Sequence, residues 1–182
     1  TGNVEILGQP GTEGVSSGAQ SGKIKVIPLS QEWRFARDTE DVGVTKQWFE
    51  PHLDDSEWNV VRSDLGGVGW EKQGFAGDDG TGYVGYAWYR AALPELPVGD
   101  RPKYVYLHFG LADEQAWVYL NGQPLGEHTE ASESKSMDAL WDEPFSLEAS
   151  GQWNWEGPNL LAVRIHNAAR AGGLTQPVFL VL

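Results

Sequence analysis

The chain has 182 residues, 40% hydrophobic and 21% charged, which is the make-up of a globular protein long enough to bury a core. Its 26 acidic and 13 basic side chains leave a formal charge of -13, and such a surface repels a nucleic-acid duplex or an anionic bilayer. The absence of cysteine excludes disulfides, thiol catalysis and Cys-based zinc sites, and no apolar stretch approaches the ~20 residues that span a bilayer.

The chain begins at Thr1 and reads as a mature chain or as a fragment of a longer one. Residues 1–22 are rich in Gly and Ser and sustain neither a helical nor a strand period, which predicts a flexible linker with one short strand at 4–7. Residues 23–182 are assigned to a single domain. Strands are predicted in turn at 24–27, 33–36, 58–61 and 86–92. The third follows the turn-forming Asp54-Asp55-Ser56, and the fourth is closed by Pro94. Within that fourth strand Trp88 and Arg90 share one face opposite Tyr89 and are read as structural. The segment 104–109 alternates, with Val105, Leu107 and Phe109 on one face and Tyr104, Tyr106 and His108 on the other. The next, 116–120, sets Ala116, Val118 and Leu120 opposite Trp117 and Tyr119. It ends at Asn121-Gly122, a hairpin turn, because both residues tolerate positive φ. Strands at 145–147, 160–166 and 178–182 complete the set, and 136–141 predicts one short turn of helix. Many short strands, 12% aromatics, 23 Gly and 10 Pro predict an all-β, two-sheet antiparallel sandwich. The loops at 62–84 and 122–144 are too long to be plain connectors and are expected to carry function.

The chemistry of the chain favours binding over catalysis. Asp54-Asp55 and Asp78-Asp79 are adjacent carboxylates, and neighbours on a strand point to opposite faces, so neither doublet forms a facing acid/base pair. The four His lack metal-ligand spacing, and no nucleophile elbow or P-loop is present. A sugar offers an apolar C–H face and a rim of hydroxyls, met by a flat ring and by carboxylate, amide or guanidinium groups. The loop holding Trp70, Glu71, Gln73 and Phe75 supplies both kinds of group, with Asp78, Asp79, Tyr83 and Tyr86 close behind. The competing reading makes Trp70 and Phe75 plugs for the end of the sandwich. Trp153 and Trp155 share one side of an extended segment, either as a stacking platform or as cover for a sheet edge; the second is favoured. The carboxylates between Glu127 and Glu143, set against Lys135, read as a solvated face. Asp38, Glu40 and Asp41 are a candidate site for a structural calcium, the one cofactor considered.

Several segments together resemble the sugar-binding jelly-roll domain of glycoside hydrolase family 2 enzymes such as β-galactosidases. They are Asp54-Asp55-Ser56-Glu57-Trp58, then Trp70-Glu71-Lys72-Gln73-Gly74-Phe75, Asp79-Gly80 and Ala87-Trp88-Tyr89-Arg90. Further on come Leu107 to Asp113, Ala116 to Gly122 with Leu125-Gly126-Glu127-His128, and Gly157 to Asn167 with Gly172-Gly173-Leu174 and Pro177-Val178. The resemblance covers about residues 30–182 and implies a galactose-binding-domain-like jelly roll. It implies that catalysis belongs to a separate barrel domain, and that the loop at 70–75 and the loop carrying Arg170 and Thr175 lie near saccharide. Thr175 stands where the family often has an aromatic residue.

Together these readings predict a non-catalytic carbohydrate-binding module of a multidomain glycoside hydrolase, secreted or periplasmic in a bacterium. Its partners would be a poly- or oligosaccharide and the attached catalytic domain, with neither nucleic acid nor membrane. Its contacts would be Trp70, Glu71, Gln73, Phe75, Asp79, Tyr83, Arg170, Trp153 and Trp155. The alternative is an accessory domain that packs on a catalytic barrel without a ligand of its own.

Overall fold

The computed structural model describes residues 24–78, 80–97, 99 and 101–182. The linker and short strand expected within 1–22, and Asp79, lie outside the described residues. Twelve strands are described. The first six are β1 (Val26–Pro28), β2 (Glu32–Asp38), β3 (Asn59–Arg62), β4 (Gly85–Ala92), β5 (Tyr106–Phe109) and β6 (Ala112–Asp113). The others are β7 (Gln115–Leu120), β8 (Gln123–His128), β9 (Phe145–Glu148), β10 (Leu160–Asn167), β11 (Gly173–Leu174) and β12 (Val178–Val181). They form a four-stranded sheet in the order β1-β12-β5-β9, a six-stranded sheet in the order β3-β2-β4-β10-β7-β8, and a small pair, β11-β6. Every pairing between these strands is antiparallel.

The alternation read from the sequence sets the core. Leu107 and Phe109 from one sheet, with Val178 and Leu180, meet Phe35, Tyr89, Val118, Val163 and Ile165 from the other in one buried cluster. Full burial of each such side chain stabilises by roughly 1.5–3 kcal/mol. Asn121 and Gly122 make the expected turn between β7 and β8, with φ of 54° and 81°. β8 itself escapes the sequence reading, because Pro124 and Gly126 break its hydrophobic pattern. The two-residue strands β6 and β11 are likewise too short to show a period. Two single helical turns, α1 (Glu130–Glu133) and α2 (Met137–Leu140), lie in the long 122–144 loop. Thr129 caps α1, its hydroxyl accepting from the Ser132 amide.

β4 is packed on both faces. Ala87 and Tyr89 point into the core, while Trp88 and Arg90 point outward and are still buried. Segment 39–58 covers them. Trp48 and Phe49 each pack against Trp88 at 6.3 Å between ring centroids. The Arg90 guanidinium donates to Asp55 at 2.7 Å and to the backbone carbonyls of Trp48 and Glu50 at 2.5 and 3.1 Å. Asp54 performs the expected turn role, accepting from the Ser56 amide at 3.0 Å. Asp55 is instead the partner of the buried cation.

Removing that cation strands two carbonyls and a carboxylate beneath the covering segment. Arg90→Ala is expected to cost about 3 kcal/mol and to lower the thermal midpoint by roughly 6–12 °C, read by circular dichroism. An unchanged midpoint would show that segment 39–58 is held by its rings alone.

Candidate functional site

Most of the sequence-predicted saccharide residues gather at one end of the sandwich. Trp70–Gln73 forms one turn of 3-10 helix, ended by Gly74 in the left-handed region at φ 100°. The Trp70 amide donates to the Gly172 carbonyl at 3.0 Å, which ties this loop to the one after β10. The Trp70 indole is fully buried. It packs against Phe35 at 5.8 Å, Tyr83 at 5.7 Å and Tyr89 at 6.4 Å. A Cβ on Gly172 would stand 2.6 Å from this indole, and one on Gly173 would stand 3.1 Å away. The Gly-Gly pair therefore lets the backbone close over the ring.

This corrects the expectation that Trp70 is a stacking platform: its ring has no face open to solvent. Phe75 packs on Phe35 at 4.8 Å. Tyr83 is buried, with its hydroxyl donating to the Tyr86 carbonyl at 3.0 Å and the Arg37 guanidinium over its ring. Gln73 is also committed to the fold. Its Oε1 accepts from the Arg62 amide at 2.7 Å and its Nε2 donates to the Arg62 carbonyl at 2.9 Å, so the amide continues the β3 edge like a strand. Thr175 is buried and its backbone bonds Gly67 and Leu111.

The polar groups behave differently. One Glu71 carboxylate oxygen is buried without a hydrogen-bond partner. Asp113, on β6 opposite Gly173, has its carboxyl pushed up to about 7, first by burial and then by the nearby charges of Glu114 and Glu71. Glu114 is buried and accepts from the Ala168 amide at 3.0 Å. Arg170 is exposed in the left-handed region, with φ 63°. Near neutral pH Asp113 is divided between a carboxylic acid, which donates, and a carboxylate, which only accepts. Such a group can bond a hydroxyl in either sense. Sequence reasoning did not single out Asp113 or Glu114 as contacts. Their signal was another pair of adjacent carboxylates, placed just before the strand β7.

The other predicted residues are elsewhere. Trp153 is buried in the core cluster, and Trp155 packs against that cluster half-buried, 6.3 Å from Trp153. The Arg101 guanidinium lies over Trp155 at 5.2 Å. With Trp153 buried, the two indoles do not share one exposed platform. Asp38 is buried, and its carboxylate accepts from the amides of Val42 and Gly43 and from the Trp88 indole at 2.7–3.0 Å. Asp41 pairs with Arg164 and Glu40 is exposed. These residues organise the start of segment 39–58. Among the described residues no group of three or more His, Cys, Asp or Glu is placed to hold a metal ion. No described helix is long and apolar enough to cross a membrane.

Two consequences follow for stability. Trp70→Ala is expected to cost about 3–5 kcal/mol, the usual range for deleting a buried aromatic, measured by thermal or denaturant unfolding. An unchanged midpoint would return the indole to the surface. For Asp113 the folded pKa is raised, so the unfolded chain ionises first and ionisation works against the fold. The penalty is absent below the ordinary carboxylate range, grows as pH rises to about 7 and is then constant. Asp113→Asn should therefore raise the thermal midpoint at pH 8, with the gain shrinking towards zero near pH 4. An equal effect at both pH values would remove the titration from the explanation.

No curated protein sequence matches the chain. The fold is shared with solved bacterial enzymes. A β-glucuronidase of Bacteroides uniformis superposes with a TM-score of 0.66 at 24% identity, over 87% of this chain and 18% of that one. The β-glucuronidase of Lactobacillus rhamnosus gives 0.69 at 16% identity, over 91% of this chain and 30% of the enzyme. That of Ruminococcus gnavus, in complex with D-glucuronic acid, gives 0.69 at 18% identity, over 91% and 31%. The chain thus spans less than a third of each solved enzyme. At the level of sequence, residues 45–170 match the family described as the β-galactosidase second all-beta domain, and the chain belongs to that family.

Proposed function

We propose that this chain is a non-catalytic accessory domain of a larger bacterial glycoside hydrolase, secreted or periplasmic. At its Trp70 end it meets saccharide hydroxyls with polar groups in place of a stacked ring. Family membership and the small share of each matched enzyme support the accessory role. The observation that carries the saccharide reading is the division of labour at that end. Trp70, Phe75 and Tyr83 turn inward, while Glu71 and Asp113 stay half-buried, Asp113 holds a proton near neutrality and Arg170 faces solvent.

Hydroxyl hydrogen bonds displace water that already bonds well, so a polar surface alone holds sugar weakly. Such a surface is useful when the rest of an enzyme already grips the substrate. The polar end then adds contacts without the full entropic cost of capture.

A second reading, that of a structural brace, is favoured by the outer face of the four-stranded sheet. Val26, Pro28, Phe179, Val181 and Tyr106 lie there in adjacent register, and Val26 and Tyr104 are 46% and 45% exposed. A contiguous apolar face of this kind suits packing against a neighbouring domain.

The test is kinetic. In the enzyme that carries this domain, Asp113→Asn combined with Arg170→Ala should raise KM roughly 3–10-fold, the size of one or two hydrogen bonds, with kcat little changed. Unaltered kinetics on every substrate would leave only the brace. The isolated chain is expected to release no reducing sugar.

A further inference from the structure

The long loop between β8 and β9 leaves the sandwich at the Trp70 end. β7 begins at Gln115, just after the Asp113-Glu114 pair, and register sets Ala116 opposite His128, the last residue of β8. Gln115 holds the loop that follows. Its Oε1 accepts from the Glu130 amide at 3.1 Å, and its Nε2 lies 3.6 Å from the Met137 sulfur. Residues 129–144 are thus tied to the strand that starts beside Asp113 and Glu114.

This loop is firmly built. The buried His128 ring stacks on Phe145 at 4.5 Å and 6° between planes. Its Nδ1 lies 3.2 Å from the Glu133 carboxylate and its Nε2 lies 3.5 Å from the Leu140 carbonyl. Leu140 is fully buried, the Glu130 carboxylate accepts from the Met137 amide at 3.1 Å, and Lys135 pairs with Glu143. The framework nevertheless leaves one large ring in water. Trp141, at the end of α2, is 50% exposed, and of the nine Trp it alone is exposed. Asp138, three residues earlier on the same helical face, and Asp142 are exposed beside it. No other exposed large hydrophobic side chain among the described residues lies on this loop. The loop therefore lacks the contiguous apolar patch that a protein partner needs. A single ring flanked by carboxylates suits the C–H face and the hydroxyls of a sugar.

We propose that Trp141 is a stacking residue for the saccharide met at this end, and that the ligand is an oligosaccharide and not a single sugar. The proposal rests on the saccharide reading given above for the Trp70 end. The ring that Trp70 keeps inside is supplied by a separate loop. Trp141 lies about 6 Å along the helix axis beyond Met137, the residue in contact with Gln115. Asp113 and Arg170 are on other elements, so a ligand of more than one unit is needed to meet them and the indole together. The unit over Trp141 is neutral, because Asp138 and Asp142 repel a uronate placed there.

The experiment measures KM and kcat of the enzyme that carries this domain, on a panel of nitrophenyl glycosides and then on neutral oligosaccharides of increasing length that end in the sugar it cleaves. Trp141→Ala should raise KM about tenfold on the longest oligosaccharides, by less on shorter ones and least on the nitrophenyl glycoside, with kcat little changed. Trp141→Phe should recover part of the loss. Circular dichroism should show an unchanged thermal midpoint, since the ring is exposed. Should the midpoint fall, Asp142→Ala beside the ring replaces the variant and should raise KM with the same dependence on length. A KM that is unchanged, or that rises equally at every length, overturns the proposal, as does a larger effect on oligomers of a uronic acid. Asp113→Asn combined with Arg170→Ala separates the two readings. If that pair raises KM and Trp141→Ala does not, the inference fails and the Trp70-end reading stands. If Trp141→Ala acts and the pair does not, that reading fails and the span between the two places fails with it. An enzyme that cleaves no glycoside of the panel removes both.

Discussion

Arg90 carries a positive charge into the interior on a central strand, and a buried cation is tolerated only where acceptors have been arranged around it. All three acceptors, the Asp55 carboxylate and the carbonyls of Trp48 and Glu50, come from segment 39–58. The segment is thereby fastened across the outer face of the six-stranded sheet, with Asp38 anchoring its start through two amides and the Trp88 indole. Its rings follow: Trp48 meets Trp58 at 5.2 Å and Phe49 meets Tyr119. Because β4 is enclosed on both faces, its neighbours inherit its position. On the inner side the Tyr89 hydroxyl accepts from the Leu174 amide at 3.3 Å and so fixes the small β11-β6 pair.

That inner anchor explains why the Trp70 end is built as it is. Tyr89 and Trp70 are roughly parallel, 22° between planes, and Gly172 and Gly173 fold over both. The indole closes the sandwich where the long loops leave it. With the ring used in this way, polar chemistry at that end falls to the carboxyls on the loops around it. Glu71 rides on the turn that begins with Trp70. Asp113 sits on the strand paired with Gly173, and Glu114, next in the chain, accepts from the amide of Ala168. Burial raises Asp113 because the same closure that hides the indole removes water from the carboxyl.

Much of this was legible in the sequence. The alternation at 104–109 and 116–120 placed Leu107, Phe109, Val118 and Leu120 on the core side, and Asn121-Gly122 marked its turn. Period alone could not say which exposed-looking rings stay exposed. Trp70 lies in a loop rich in Gly and charge, the environment in which a ring is normally read as displayed, and only the contacts with Phe35, Tyr83 and Tyr89 reverse that. Trp88 shows the complementary difficulty. It points away from the core and is still buried, because a segment some forty residues earlier in the chain lies over it. β8 was invisible since Pro124 and Gly126 carry no hydrophobic period. Its pairing with β7 is fixed by the turn instead. The opposition of Trp117 and Tyr119 to Ala116, Val118 and Leu120 was read correctly, but nothing local says how far a distant segment extends over them.

The two outer faces of the sandwich differ in kind. On the four-stranded sheet the outward row of Val26, Val181 and Tyr106 offers apolar surface, and His108 closes its own hydrogen bond with Ser146 at 2.9 Å. Covering such a face removes water from carbon and leaves few polar groups to satisfy, which is the condition for packing against another domain. The open half of the six-stranded sheet has rings as well, but they enclose a guanidinium and an imidazole with unanswered nitrogens. Those nitrogens are already out of reach of water, so the two faces differ in the side chains that stay exposed and not in these buried groups.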